Sequence, residues 1–470
     1  MATFYVENFG CRATQADGAA IEQQFRGLGL ERAEEALAAE VVVLNTCTVT
    51  ASADQDARAA IRRIHRENPE CQIVVTGCYA QRAPEEIAKI PGVTRVVGNS
   101  HKHRLAEIAV GRTVGDFVPL SNLAASLSPA DRILVSDIFA HTELLAAPVF
   151  DAPNARTRPN LKVQDGCDNR CSFCVIPSVR GQSRSLPLQR ILEEVGALVA
   201  AGYKEIVISG INLGRWGKDL PEPSRFENLV RAILNDTDLE KLRLSSVEPM
   251  DWSDQLIALV ADSPRIAKHA HVPLQSGSDK ILRAMHRKYR PWHYREKIEK
   301  IRAAMPDAAI GADVMTGFPG ETDADFDETR RMIEELPFTY LHVFTYSSRP
   351  GTASEKMPNQ VPVNIARHRN QILREIVAQK KRAFMESFIG KTIEAITLDA
   401  ADCKKDGRST EALTDNYLKL HLAGNLAPNQ WLRVQITGTS GDALVGADRS
   451  IAQHTAAYRE HSMPLSSQSA

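Results

Sequence analysis

Apolar and polar positions alternate along the amino-terminal part of the chain with two different periods. Short apolar runs, ATFYVENFG, VVVLNTC, QIVVTGC and TRVVGN, read as strands. Between them DGAAIEQQFRGLGL, DQDARAAIRRIHRENP and APEEIAKI carry apolar residues three and four apart, as helices do. This alternation predicts an α/β domain with a doubly wound parallel sheet. From about Ala106 to Arg158 the pattern is lost, and SNLAASLSPADR and APVFDAPNARTRPN read as a connecting arm. A second alternating series begins near Pro159. Its strands are NLKVQDG, EIVISGIN, KLRLSSVEP, KHAHVPLQS, AAIGADVMTG and YLHVFTYS, each followed by a helical pattern. Six such units predict a partial (β/α)6 barrel. One long helical stretch, NIARHRNQILREIVAQKKRAFMESF, is expected to pack outside it. After Gly390 the strands KTIEAITLD, YLKLHLAG, QWLRVQITG and DALVGAD predict a small β-barrel. The expected division is 1–110, 111–155 as connection, 156–388, 389–455 and a polar tail at 456–470.

Composition narrows this only slightly. With 470 residues, 43% hydrophobic and a net charge of −1, the chain is ordinary globular protein, and a uniformly basic surface is excluded. Any nucleic acid must be met by local patches. MATFYVENFG lacks the basic start and apolar core of a secretory signal, and runs such as VVVL are too short for a bilayer. A cytoplasmic monomer with no membrane partner is expected.

The eight cysteines change the picture more. Outside an oxidising compartment they point to metal or redox chemistry rather than disulfides. Cys167, Cys171 and Cys174 form a C-x3-C-x2-C loop after the first barrel strand, at the end where barrel enzymes keep their chemistry. Three thiolates leave one iron of a [4Fe-4S] cluster open, and that iron can chelate the amino and carboxylate groups of S-adenosylmethionine. The alternative is a zinc loop that borrows His269 or His271 as a fourth ligand. Cys11, Cys47 and Cys78 are distant in sequence, yet each ends a predicted strand of the first domain. In an open parallel sheet such ends converge on one crevice, so a second metal site is expected. The alternative is buried cysteines near strand ends. Cys71 and Cys403 lack companions and are assigned to packing.

The C-x3-C-x2-C loop in this barrel context resembles the radical S-adenosylmethionine superfamily. The resemblance implies cosubstrate contacts at Ser209, Gly210 and Asn212 in SGINLG, at Ser246 and Glu248 in SSVEP, at Gln275, and at Gly317 in GADVMTGFPGET. The order of parts from Thr3 to about Ile451 resembles the methylthiotransferases: a cysteine-bearing α/β domain, a radical barrel and a small RNA-binding TRAM barrel. NTCTVT, VVTGCYAQ, KVQDGCDNRCSFCVIP, LQSGSD and FTYSSRPGT are most similar to the branch that acts on N6-threonylcarbamoyladenosine beside the tRNA anticodon. RATQADG after Cys11 and the carboxyl module depart from the usual wording, though Gln15 is retained.

The resemblance implies two [4Fe-4S] clusters, one on Cys11, Cys47 and Cys78 and one on the barrel cysteines, facing each other across a substrate cavity. It further implies S-adenosylmethionine, a tRNA anticodon stem-loop, an electron donor and a sulfur source. One S-adenosylmethionine donates a methyl group to sulfide. A second yields the radical that takes hydrogen from C2 of the adenine. Isopentenyl-adenosine tRNA and a ribosomal-protein aspartate are the competing substrates; an iron–sulfur or zinc RNA-binding module is the non-enzyme alternative. Arg180 and Arg184 are expected to meet RNA phosphates. Arg287, Lys288, Arg290 and Arg295, and Arg62, Arg63 and Arg66, are weaker candidates, because charge runs on helices are usually solvated faces.

Overall fold

In a computed structural model the described residues are 2–111, 132–140, 157–399 and 409–448. Cys403, the polar tail and most of the connecting segment lie outside them. The first sheet contains β1 (Thr3–Asn8), β2 (Glu31–Arg32), β3 (Val41–Thr46), β4 (Gln72–Gly77), β5 (Val93–Gly98) and β6 (Ile133–Leu134). It is parallel throughout, in the order β2-β1-β3-β4-β5-β6. The sixth strand comes from the stretch read as a connecting arm; two residues are too few to leave a periodic signal.

Helices cover both faces, so β3 is buried along its whole length. Val42 and Leu44 face one core with Ile61, Ile73 and Val75. Val41 and Val43 face the other with Phe4, Ile21 and Phe25. The strand order places a topological switch point between β1 and β3, where the chain leaves toward opposite faces and a crevice opens beyond the carboxyl ends.

The second unit has the six expected strands, β7 (Asn160–Asp165), β9 (Glu205–Gly210), β10 (Lys241–Leu244), β11 (His269–His271), β12 (Ala309–Thr316) and β13 (Tyr340–Thr345), plus a two-residue edge strand β8 (Arg184–Ser185). β10-β9-β7-β8 and β11-β12-β13 form two sheets, and the bridges Leu242–Ile266 and Ser246–His271 connect them. The result is an open barrel whose gap lies between β13 on one side and β7, with its short partner β8, on the other. The first domain spans that opening. The helix Arg12–Gly27 packs along β7, and the Asn160 side-chain amide donates to the Arg12 carbonyl at 2.9 Å. On the other edge Arg349, after β13, donates to Thr48 at 3.0 Å and pairs with Asp54.

The segment SDKILRAMHRKYRPWHYREKIEKIRAAM, a single helical pattern in the sequence, is two helices, Asp279–Ala284 and Pro291–Ala304. His286 turns left-handed at φ 58°, and Pro291 opens the second helix.

The carboxyl module is a closed barrel in the order β14-β15-β16-β18-β17, built from β14 (Thr392–Thr397), β15 (Ser409–Thr414), β16 (Lys419–Ala423), β17 (Trp431–Ser440) and β18 (Ala443–Asp448). β15 is additional to the four strands expected. Met385, at the end of the long helix Val363–Glu386, and Phe388 close its core. Its turn at 414–417 docks under the central barrel. There Arg243, fully buried against Glu205 at 2.7 Å, also donates to the carbonyls of Thr414 and Asp415.

Candidate active site

The cysteine loop starts where β7 ends. Gly166 has φ +70°, and a Cβ there would stand 1.8 Å from the Gln182 carbonyl oxygen, so only glycine makes the turn. Cys167, Cys171 and Cys174 are partly exposed. The Asn212 amide donates to the Cys167 sulfur at 3.5 Å, and the Arg287 guanidinium donates to the Cys171 sulfur at 3.2 Å. Burial raises the Cys167 thiol pKa and pushes the Cys174 thiol up to about 12. These groups thus ionise when a metal supplies the compensating charge.

The three cysteines line one cavity of 560 Å³ together with Ser209, Gly210, Asn212, Ser246, Glu248 and Gln275. That volume lies within the range of small-molecule sites. Its wall holds buried polar atoms without partners: Ser209 Oγ, Ser245 Oγ, Asn212 Oδ1 and Gln275 Oε1. Packed interiors seldom leave several such atoms unpaired around one cavity; a polar cosubstrate would satisfy them. Gln275 is held at φ 67°, an uncommon conformation of the kind that concentrates at functional sites. The three sulfurs, two of them accepting N–H bonds, fit a [4Fe-4S] cluster, and the orphaned atoms fit S-adenosylmethionine beside it. No three His, Cys, Asp or Glu side chains among the described residues stand as close as a single metal ion requires. A cluster, in which each thiolate reaches a different iron, needs wider spacing.

Gly317 does not belong to this wall. Its missing side chain faces the long helix, where a Cβ would stand 2.4 Å from that of Ala366, and its N–H donates to Glu321 at 2.7 Å. This glycine serves helix packing.

Cys11, Cys47 and Cys78 follow β1, β3 and β4, the first two astride the switch point. Cys11 is exposed on the cavity; Cys47 and Cys78 are buried behind it. Gly10, at φ +105°, lets the loops touch, because a Cβ there would stand 2.6 Å from that of Cys47. Burial first, then the neighbouring Cys78 thiol and, more weakly, Cys11, push Cys47 up to about 12. Cys47 therefore lies within electrostatic reach of both other thiols. The Asn99 amide donates to the Cys78 sulfur at 3.7 Å. Val175 and Val179, which follow the barrel cysteines, pack on Cys78, so the two cysteine regions share a packed boundary. Cys71 sits in the first domain's core.

Arg180 requires a correction. Expected at an RNA surface, it is 2% exposed. It pairs with Asp17 at 3.0 Å and Asp165 at 2.9 Å. Lys102 joins Asp17 at 2.9 Å, and Lys162 bonds both acids. Two acids and three bases thus lie buried between the first domain and β7. Burial raises the Asp17 pKa, but Lys102, Lys162 and Arg180 outweigh it and hold the carboxyl at about 2. Arg184 is half-buried and donates to the Arg180 carbonyl. Arg287 is also buried; it pairs with Glu248 as well as bonding Cys171. Arg290 pairs with Asp279, Arg295 with Glu335, and Arg63 with Glu7. Arg62 and Lys288 remain exposed.

Sequence reasoning named His269 and His271 only as alternative zinc ligands and missed Tyr340, His342, Arg12 and Tyr417 on another part of the cavity wall. There His269, His271, Tyr340 and His342 meet Arg12 from the first domain and Tyr417 from the carboxyl module. The imidazole of His269 stacks on Tyr340 at 5.8 Å and meets its hydroxyl at 2.6 Å. A signal was present: HAH and YLH place polar rings two apart, on one face of a barrel strand.

A six-stranded parallel barrel with three cysteines after its first strand and an unsatisfied polar cavity beside them is the arrangement of a radical S-adenosylmethionine enzyme. Residues 161–333 match the radical SAM superfamily, and residues 3–98 match the uncharacterized protein family UPF0004. The threonylcarbamoyladenosine tRNA methylthiotransferase MtaB of Bacillus subtilis is 35% identical, covering 90% of this chain and 91% of that protein. The tRNA-2-methylthio-N(6)-dimethylallyladenosine synthase of Thermobifida fusca is 33% identical, covering 94% and 88%. The structure of the radical S-adenosylmethionine methyltransferase TsrM from Kitasatospora setae, with cobalamin and a [4Fe-4S] cluster bound, has a TM-score of 0.54 at 15% identity, covering 76% of this chain and 77% of that one; this likeness is one of fold. The chain belongs to the methylthiotransferase family of radical S-adenosylmethionine enzymes. Among the described residues no helix is long and apolar enough to cross a membrane.

Proposed function

We propose that this enzyme inserts a methylthio group at C2 of N6-threonylcarbamoyladenosine, position 37 beside the tRNA anticodon, and that Cys11, Cys47 and Cys78 hold a second [4Fe-4S] cluster. The observation that carries this reading is one cavity lined by Cys11 of the first domain and by all three barrel cysteines. The groups supply, when bound, a one-electron cleavage of S-adenosylmethionine to a 5′-deoxyadenosyl radical at the barrel and a sulfur for transfer at the first domain. An adenine C2–H is neither acidic nor electrophilic, so acid–base or nucleophilic side chains would not open it.

The chain's own residues bind and orient. Ser209, Asn212, Ser246, Glu248 and Gln275 hold the cosubstrate. Arg287 fixes Glu248 and the Cys171 sulfur at once. Anticodon loops are single-stranded, so the base can be splayed into the cavity. An electron donor and a sulfur source complete the turnover. The substrate assignment follows the threonylcarbamoyl relatives; the relative acting on dimethylallyladenosine supports that base as the second reading.

Nucleoside mass spectrometry tests both. Reconstituted enzyme with reductant, sulfide and S-adenosylmethionine should convert threonylcarbamoyladenosine in tRNA to its methylthio form. Conversion of dimethylallyladenosine alone would transfer the assignment to the second reading. Iron analysis tests the second cluster: about eight irons per chain are expected, falling to about four when Cys11, Cys47 and Cys78 are all replaced by alanine. Gly10→Ala should do much the same, because its Cβ would displace Cys47. It should lose methylthiolation while keeping 5′-deoxyadenosine formation.

A further inference from the structure

We infer that Arg12 and Tyr417 form a carboxylate receptor that selects the threonylcarbamoyl group over an uncharged N6 substituent. This inference rests on the tRNA reading above.

Arg12 opens the helix after Cys11 and lines the cavity. Its guanidinium donates to the Tyr417 hydroxyl at 3.3 Å, and no carboxylate pairs with it among the described residues. Almost every other cavity or interface arginine near it is neutralised: Arg180 by Asp17 and Asp165, Arg243 by Glu205, Arg287 by Glu248. Tyr417 reaches the cavity from another domain in a left-handed conformation, φ 68°, which a tyrosine adopts only when its surroundings impose it. Asp415 beside it pairs with Lys241 at 3.1 Å, and the Asn416 amide donates to the Asp307 carbonyl at 3.0 Å. Those contacts anchor the turn and leave the Tyr417 hydroxyl with Arg12.

Arg12 and Arg243 are the cations at this end of the cavity. Burial first, then the charges of Arg243, His271 and Arg12, hold His269 well below the usual imidazole range. Asp313 on the same wall stands 3.4 Å from His271, and among the described residues no acid reaches Arg12, which is the cation left to meet one. The Tyr340 ring, seated where Gly311 has no side chain, is near-parallel to the imidazoles of both His269 and His271, at 5.8 Å from each.

C2 and N6 both lie on the Watson–Crick edge of adenine. A base that presents C2 to the cysteines therefore carries its N6 substituent into the same cavity. A threonylcarbamoyl group ends in an ionised carboxylate, which is costly to bury without a cation. A dimethylallyl group would leave Arg12 facing it unpaired, so one residue both rewards the acid and penalises the hydrocarbon. The carboxylate of S-adenosylmethionine has the same chemistry, and the experiment separates the two.

The test measures binding of anticodon stem-loops to the reconstituted full chain. Three loops are compared, bearing threonylcarbamoyladenosine, its methyl ester and dimethylallyladenosine. Wild type should bind the acid about 10- to 100-fold more tightly than the ester, as for a charge-assisted hydrogen bond. Arg12→Met should bind both alike, with iron content and S-adenosylmethionine affinity unchanged. Arg12→Lys should restore part of the preference, and Tyr417→Phe, remote from the cysteines in sequence, should weaken it several-fold. Equal acid and ester binding by wild type overturns the receptor while leaving methylthiolation intact. A loss of S-adenosylmethionine affinity in Arg12→Met reassigns the residue to the cosubstrate. Wild type that methylthiolates only dimethylallyladenosine overturns the substrate reading as well.

Discussion

Alanine at Cys167, Cys171 or Cys174 should abolish 5′-deoxyadenosine formation. Among the described residues the loop's three sulfurs are the donor set beside the polar cavity, and the one further cysteine lining it is Cys11, proposed above for the other set. A cluster bound by two thiolates is lost or degraded, so iron should fall from about eight to about four per chain. The radical has no other source, so methylthiolation should fall below detection, at least about 10³-fold, the order by which essential groups acting as a unit depress a rate. The first-domain variants should behave oppositely, retaining S-adenosylmethionine cleavage without methylthiolation. Measuring cleavage and nucleoside product in the same reactions therefore separates the two cysteine sets. Cleavage persisting in a Cys171→Ala protein would mean that the loop does not carry the chemistry.

Arg180→Met should destabilise the protein by about 3–5 kcal/mol, the loss typical of removing one partner from a buried ion network. Asp17 and Asp165 would each lose a guanidinium contact in a region where no side chain of the network is more than 9% exposed. The urea midpoint is the readout. A companion variant, Asp17→Asn with Arg180→Met, should recover part of the loss, because one stranded charge is removed with its partner. The pH dependence has a definite sign. Asp17 in the folded protein is held at about 2, below its ordinary 3.8, and Asp165 is held well below it too, where burial opposes but Arg180 and Lys162 prevail. Depressed carboxyl pKa values contribute stability above the unfolded value and lose it as pH falls through the folded one. The gap between wild type and Arg180→Met should therefore persist from neutral pH to about 4 and close toward about 2. A gap that widens on acidification would contradict the network. Because these residues join Arg12–Gly27, β7 and the helix after the barrel cysteines, the same variant should loosen the first domain from the barrel and depress methylthiolation more than S-adenosylmethionine cleavage.

How much of this was legible in advance depends on the distance over which each feature is specified. The alternation of strands and helices is written in neighbouring residues. So is the C-x3-C-x2-C loop, whose spacing is set by one turn of chain. The placement of Cys11, Cys47 and Cys78 after three strands was readable too, because a parallel sheet brings carboxyl ends to one side whatever the rest of the fold does. Ser209, Asn212, Ser246, Glu248 and Gln275 could be placed on the cavity for the same reason: each ends or follows a barrel strand.

Charge partners are decided otherwise. Arg180 sits in a basic run that reads as an RNA patch, yet it meets Asp17, 163 residues away. Arg287 sits in another, yet it turns inward to Glu248 and Cys171. No local pattern distinguishes a buried arginine from a solvated one, since the cost of burial is offset only by an acid brought from elsewhere in the chain. Gly317 resembles a glycine that admits a ligand, but the space it leaves is taken by Ala366. Arg12 and Tyr417 are 405 residues apart and reach one cavity from different domains. By itself the sequence determined the elements, their order and the thiols that end them, because short-range periodicity and strand direction are local properties. Only the tertiary structure decided which charges are buried, which glycine is packed and which side chains complete the substrate cavity, because those depend on contacts between segments that share no sequence neighbourhood.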